Sequence, residues 1–222
     1  AVISHILSEK SLAELQVPTE SDGRIPLVLE ATEKIVKEYK DDIGIMALIC
    51  GPFTLGLHLV GSKMITQMIK NPQEVVEVLE FCAKVCKAMA EMYLKRGVEI
   101  IAIVDPMTSQ IKPDHFDKFV VPALQPTLDL CKEYKAYSLI FVCGNATRII
   151  TNLAKVDATG FAVDENVDLK YCAQVAREHK KVLAGNLPLT VGLLFGEVED
   201  NIQFAKQCIE AAAGPGFVLA PG

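Results

Sequence analysis

Tryptophan is missing from the sequence, and no tract rich in serine and glycine or in glutamine interrupts it. With only 11 prolines and 14 glycines, long disordered linkers are excluded. Apolar runs such as Glu99 to Val104 and Ser138 to Val142 fall far short of the roughly 20 residues a bilayer crossing needs, which excludes a membrane span. Lys and Arg are nowhere clustered. The formal charge is −6, from 28 acidic and 22 basic residues, so the footprint of a phosphate-backbone binder is lacking and nucleic acid is not expected as a partner. The opening Ala1 to Leu7 has no basic region followed by a longer apolar stretch, so no secretory signal is expected. Seven cysteines are scattered among apolar residues without the close spacing of a stapled domain, which fits a reducing, cytoplasmic compartment and buried thiols.

What is present is apolar bulk. Half of the 222 residues are hydrophobic and 23% are charged, enough to bury one large core, so residues 1–222 are expected to form a single domain. Short β-branched runs alternate with longer amphipathic stretches, the pattern of parallel strands joined by crossover helices. Six such runs occur: Ile43 to Cys50, Val98 to Val104, Tyr137 to Cys143, Gly160 to Val163, Lys181 to Ala184 and Gly216 to Ala220. Asn71-Pro72-Gln73-Glu74 offers an N-cap, a first-turn proline and a capping-box glutamate, and Gly97 a stop. Further helices are predicted over Pro113 to Tyr134, Thr147 to Lys155, Leu169 to His179 and Val198 to Ala212.

Periodicity alone leaves an open doubly wound sheet and a β/α barrel equally possible. In both, chemistry gathers at the carboxyl ends of the strands. Those ends carry Cys50-Gly51-Pro52, Asp105-Pro106, Cys143-Gly144-Asn145, Asp164-Glu165 and Gly185-Asn186-Leu187.

Gly51-Pro52-Phe53-Thr54-Leu55, Asp105-Pro106-Met107-Thr108-Ser109, Cys143-Gly144-Asn145 and Gly185-Asn186-Leu187 follow one another in the order and spacing of the uroporphyrinogen decarboxylase superfamily, which the chain resembles. Ile111-Lys112-Pro113, the run from Asp164 to Leu169 and Leu219-Ala220-Pro221-Gly222 extend the resemblance over nearly the whole chain. They are most similar to its cobamide-dependent branch, the methylcobamide:coenzyme M methyltransferases. The resemblance implies an α/β fold of (β/α)8 TIM-barrel type with about six of the eight strands in this chain. The two others would precede residue 1, leaving a fragment, a truncated paralogue or a barrel completed by another polypeptide. An open edge of that kind favours pairing with a neighbour, so a homo-oligomer is expected.

The implied function is transfer of a methyl group between a corrinoid, supplied by a partner protein, and a small thiol such as coenzyme M. In this branch a zinc ion holds the acceptor thiol as thiolate. Its ligands are a His-x-Cys pair, an acidic residue at the next strand end and a cysteine after Leu-Ala-x-Gly. Cys143 matches the cysteine of the pair and Asp164 the acidic ligand, with Glu165 beside it. Phe141 occupies the histidine position and the sequence stops at Gly222, so weak zinc binding is expected. Two other functions compete: decarboxylation of a tetrapyrrole, and a non-catalytic or degenerate barrel that binds a corrinoid protein.

Each candidate also has a plainer reading. Asp105, at a strand end that in a barrel faces the substrate mouth, is a third catalytic candidate beside Cys143 and Asp164; the plainer readings are a core strand end for Cys143, an N-cap ahead of the Leu169 helix for Asp164 and a strand-end turn for Asp105. Asn145 and Asn186 fit turns or caps as well as ligand contacts; of the two, Asn145 is taken as a substrate-binding candidate. His58 follows the Gly-Pro-Phe-Thr segment and is placed at the mouth as a further substrate contact. Cys82 and Cys86 share an apolar helix face, where packing is favoured over metal binding.

Overall fold

The structure, a computed structural model, describes residues 4–222, so the first three residues of the opening segment lie outside the described residues. It divides into two compact units, Ala1–Ile103 with Asp117–Ser138, and Val104–Phe116 with Leu139–Gly222.

The first unit holds the neighbouring strands β1 (Met46–Cys50) and β2 (Ile100–Val104) with helices α1 (Ile25–Tyr39), α2 (Pro52–Val60), α3 (Lys63–Lys70) and α4 (Pro72–Leu94). Helix α4 is its spine. Val75, Leu79, Cys82, Cys86 and Ala90 recur at helical spacing and are all buried, which drives α4 against α1, α2, α3 and β1. Burying a leucine such as Leu79 stabilises by about 1.5–3 kcal/mol. Cys82 and Cys86 are core side chains, and the Cys86 thiol donates to the Cys50 carbonyl at 3.0 Å.

Pro72 does open α4 and Gly97, at φ +84°, sits three residues beyond its end. The expected capping box is not made: the Asn71 side chain caps nothing, and the Glu74 carboxylate instead accepts from Gln67 Nε2 at 3.3 Å. The long helix expected from Pro113 to Tyr134 is three pieces, α5 (Pro113–His115), a π-helical turn over Phe116–Val120 and α6 (Val121–Glu133). The change of period falls just before Pro122 and Pro126, neither of which has an N–H to give to the helix ladder. Helix α6 packs on α4 through Leu124 and Leu128, both buried.

The second unit is a run of strand–helix repeats: β3 (Tyr137–Val142), α7 (Ile150–Lys155), β4 (Gly160–Val163), α8 (Leu169–Glu178), β5 (Val182–Leu187), α9 (Val198–Ala212) and β6 (Phe217–Pro221). These four strands are parallel and neighbour one another in chain order. Val142 pairs with Val163, Ala162 with Ala184 and Asn186 with Ala220. Gly160 is required where β4 meets β5: a Cβ there would lie 2.2 Å from the Val182 carbonyl oxygen. Helix α8 starts at the Asp168 N-cap, whose carboxylate accepts from the Lys170 and Tyr171 amides at 2.9 and 3.3 Å. Strand β5 runs three residues past its expected end, so Asn186 is a buried strand residue rather than a turn or cap.

Among the described residues no helix is long and apolar enough to cross a membrane. None of the seven cysteines is in a disulfide, and Cys82, Cys86, Cys131, Cys172 and Cys208 are buried.

Candidate functional site

Strand register brings the two principal candidates together. Val142 and Val163 are the last paired residues of β3 and β4, so the next residue of each strand, Cys143 and Asp164, leaves the sheet at the same level. In a parallel pair these are the carboxyl ends, where the loops are released from the ladder and side chains become available to ligands. Both residues are half-buried.

The Gly144 amide donates to Asp164 Oδ2 at 2.8 Å, closing the gap between the two strand ends. Asp164 Oδ1 accepts from the Asn166 backbone at 2.8 Å and also from the Asn166 side-chain amide. Desolvation works against the carboxylate, but these three donors outweigh it and hold the Asp164 carboxyl below its ordinary range. Burial pushes the Cys143 thiol up, and the Asp164 charge adds to the effect, which registers how near the two groups lie. Asp164 is therefore charged at neutral pH, and Cys143 is a neutral thiol beside it.

Gly144 makes the turn possible. Its φ of +79° suits glycine, and a Cβ would stand 3.2 Å from Ser109 Oγ. Ser109, whose hydroxyl donates to the Pro106 carbonyl at 2.8 Å, thus lies directly against the Cys143–Gly144 turn. Sequence reasoning did not select Ser109 or Asn166, although both stand inside the quoted motifs. Gly222 approaches from another side, its Cα against the Asp164–Glu165 backbone and its amide donating to the Leu187 carbonyl at 2.9 Å.

The remaining candidates have backbone work. Asn145 Oδ1 accepts from the Thr147 amide at 3.2 Å, and its side chain is exposed. A Glu165 carboxylate oxygen accepts from the Leu189 amide, tying the loop after β4 to the start of a π-helical turn over Leu189–Leu194. Asp105 is wholly buried rather than presented to solvent. Its amide donates to the Phe141 carbonyl at 2.9 Å, and its carbonyl accepts from Thr108 Oγ1 at 2.6 Å, building a 3-10 turn. His58 is exposed on α2, in the first unit. That unit has concavities of about 390 Å³ between α4 and α6 and about 340 Å³ beside α1, and no candidate residue lines either.

The expected zinc pair is incomplete. Among the described residues no three His, Cys, Asp or Glu side chains gather where they could hold a metal ion. Zinc takes three or four protein ligands. Phe141 brings no donor atom, and each oxygen of Asp164 already accepts at least one N–H. Cys143 and Asp164 alone do not fit a zinc centre.

Comparison with known proteins agrees with the fold. The chain is 27% identical to the "Methylcobamide:CoM methyltransferase MtbA" of Methanosarcina acetivorans, over 100% of this chain and 65% of that protein. It is 28% identical to the "Methylcobamide:CoM methyltransferase MtaA" of Methanosarcina barkeri, over 96% of this chain and 62% of the relative. The solved structure described as "methyltransferase from Methanosarcina mazei" superposes with a TM-score of 0.85 at 29% identity, covering 96% of this chain and 63% of that one. The chain therefore spans under two thirds of the length of the relatives it matches. Its fold class is the α/β, (β/α)8-barrel type, with six strands among the described residues. The family model for "Uroporphyrinogen decarboxylase (URO-D)" matches residues 1–222, and with that coverage the chain belongs to the uroporphyrinogen decarboxylase family.

Proposed function

We propose that this chain carries the thiol-binding side of a methyltransferase that moves a methyl group between methylcobamide and a small thiol such as coenzyme M. The observation that carries the reading is the convergence of Cys143 and Asp164 at adjacent strand ends, linked by the Gly144 amide. The similarity to methyltransferases of that description supports it.

In this reading the methyl donor is a corrinoid presented by a partner protein, and the acceptor is the thiol. Transfer breaks the carbon–cobalt bond with its electron pair left on the donor, forms a sulfur–carbon bond, and releases the thiol proton. The chain's own contribution is positional and electrostatic. Asp164 keeps its charge, and its Oδ2, which accepts only from the Gly144 amide, has a further lone pair for the S–H of the acceptor. Cys143 presents a compact, polarisable wall beside it. Ser109 and the Gly144 turn fix where the acceptor can lie. The zinc of the resembling enzymes has no part in these steps, because the donor set does not fit it.

Incubation with methylcobalamin and coenzyme M tests the proposal, with formation of the methylated thiol as the readout. Product from methylcobalamin, and none from uroporphyrinogen, is the expected pattern; turnover of uroporphyrinogen in its place would transfer the assignment to decarboxylation. Phe141 at the histidine position favours a second reading, a barrel that binds a corrinoid-bearing partner without chemistry. Turnover separates the two: methylated thiol formed from methylcobalamin supports catalysis, and binding of a corrinoid protein with no product supports the second reading.

A further inference from the structure

We infer that Asn186 is the positioning residue for the Asp164 carboxylate, an inference that rests on the site proposed above. The β4–β5 register pairs Ala162 with Ala184, and two residues further along it sets Asp164 beside Asn186. Asn186 is 7% exposed on β5, and its side chain is turned to the loop that carries Asp164. Its Nδ2 donates to the Asp164 carbonyl at 3.1 Å and to the Val167 carbonyl at 3.0 Å. Both amide protons are therefore spent on the two ends of one four-residue loop. The loop is closed on itself by the Val167 amide, which donates to the Asp164 carbonyl at 3.2 Å.

The orientation of the amide is unambiguous. Two carbonyl oxygens face it, so the NH₂ must point at them and not the oxygen. The opposite end, Oδ1, accepts from the Cys208 thiol at 3.8 Å. A buried amide satisfied on both ends makes a rigid brace, because any rotation leaves buried polar atoms unpaired. Helix capping belongs to Asp168, so the brace is what fixes Asp164 within the loop. From that anchored backbone the carboxylate reaches the Gly144 amide and stands next to Cys143.

The test is a nuclear magnetic resonance measurement on the full chain, read at the Gly144 amide. A hydrogen bond to a carboxylate draws that proton downfield, and Asp164→Asn defines its position without the charge. Asn186→Asp keeps the volume but sets oxygens against two carbonyl oxygens; Asn186→Ser keeps one donor and is the milder change. Both variants are expected to move the Gly144 resonance most of the way to its Asp164→Asn position while the α4 amides stay in place. A Gly144 resonance unmoved in a folded Asn186 variant would overturn the inference. Should neither variant fold, the unaltered chain decides: two slowly exchanging Asn186 side-chain protons are expected, and rapidly exchanging ones would overturn it. In the methyl-transfer assay Asn186→Ser is expected to lower kcat by about tenfold or more with a smaller change in KM, since small misplacements of reacting groups cost that much. A chain with no methyl transfer at all would remove the functional reading and leave the Gly144 result standing.

Discussion

Cys143 and Cys50 are the two cysteines that the fold does not bury, and they sit in different surroundings. Burial pushes Cys172 up to about 12, with Asp168 adding to it, and Cys131 up to about 11. Because the thiolate is the reactive form, both should resist alkylation at pH 8. Cys50 should be modified by N-ethylmaleimide first and Cys143 more slowly, as mapped by peptide mass spectrometry. The sign of the Asp164 effect follows directly: its negative charge raises the Cys143 pKa, so Asp164→Asn should lower it and speed alkylation at Cys143. An unchanged rate would show that the two groups do not sense each other. The pairing of Cys143 with Asp164 was legible through the resemblance, which assigns both to one site, and the register of Val142 with Val163 sets the two at one level. The role of Asn186 was not. It depends on β5 continuing to Leu187 alongside β6, a pairing of residues 34 positions apart that no local pattern encodes.

At the scale of elements, local chemistry decided where α8 begins. The plainer sequence reading puts Asp164 at the N-cap, and the structure corrects it: the cap is Asp168, which leaves Asp164 for the strand end. Asp168→Ala should cost about 1 kcal/mol, the usual worth of an N-cap, and lower the melting temperature by roughly 2–4 °C in a circular dichroism melt. Gly160→Ala should be worse. Its Cβ would meet a carbonyl oxygen at 2.2 Å, so β4 and β5 must part, and roughly 1–3 kcal/mol of overpacking cost is expected in a denaturant titration. A variant as stable as the parent would mean that the two strands approach less closely than described. Helices α8 and α9 lie within one residue of their expected limits because their apolar stripes are regular, whereas α7 starts three residues late, after a 3-10 turn over Thr147–Ile149. The break at Phe116–Val120 escaped the pattern, since Phe116, Phe119 and Val120 are buried within the π turn just as they would be on a continuous helix.

For the molecule as a whole, alternating strands and helices gave the α/β class, while the choice of a barrel came from the resemblance carried by the short motifs at the strand ends. Charge and composition had no say in the chemistry. The account's central claim is that the thiol of Cys143 and the carboxylate of Asp164 act together on a small thiol acceptor. Its most direct test is the initial rate of coenzyme M-dependent methylcobalamin demethylation, followed by absorbance, for the parent, Cys143→Ser and Asp164→Asn. The account predicts measurable turnover by the parent and a fall of about tenfold or more in each variant, with the double variant little worse than either single one, as groups acting as a unit behave. Equal rates in all four proteins would contradict it.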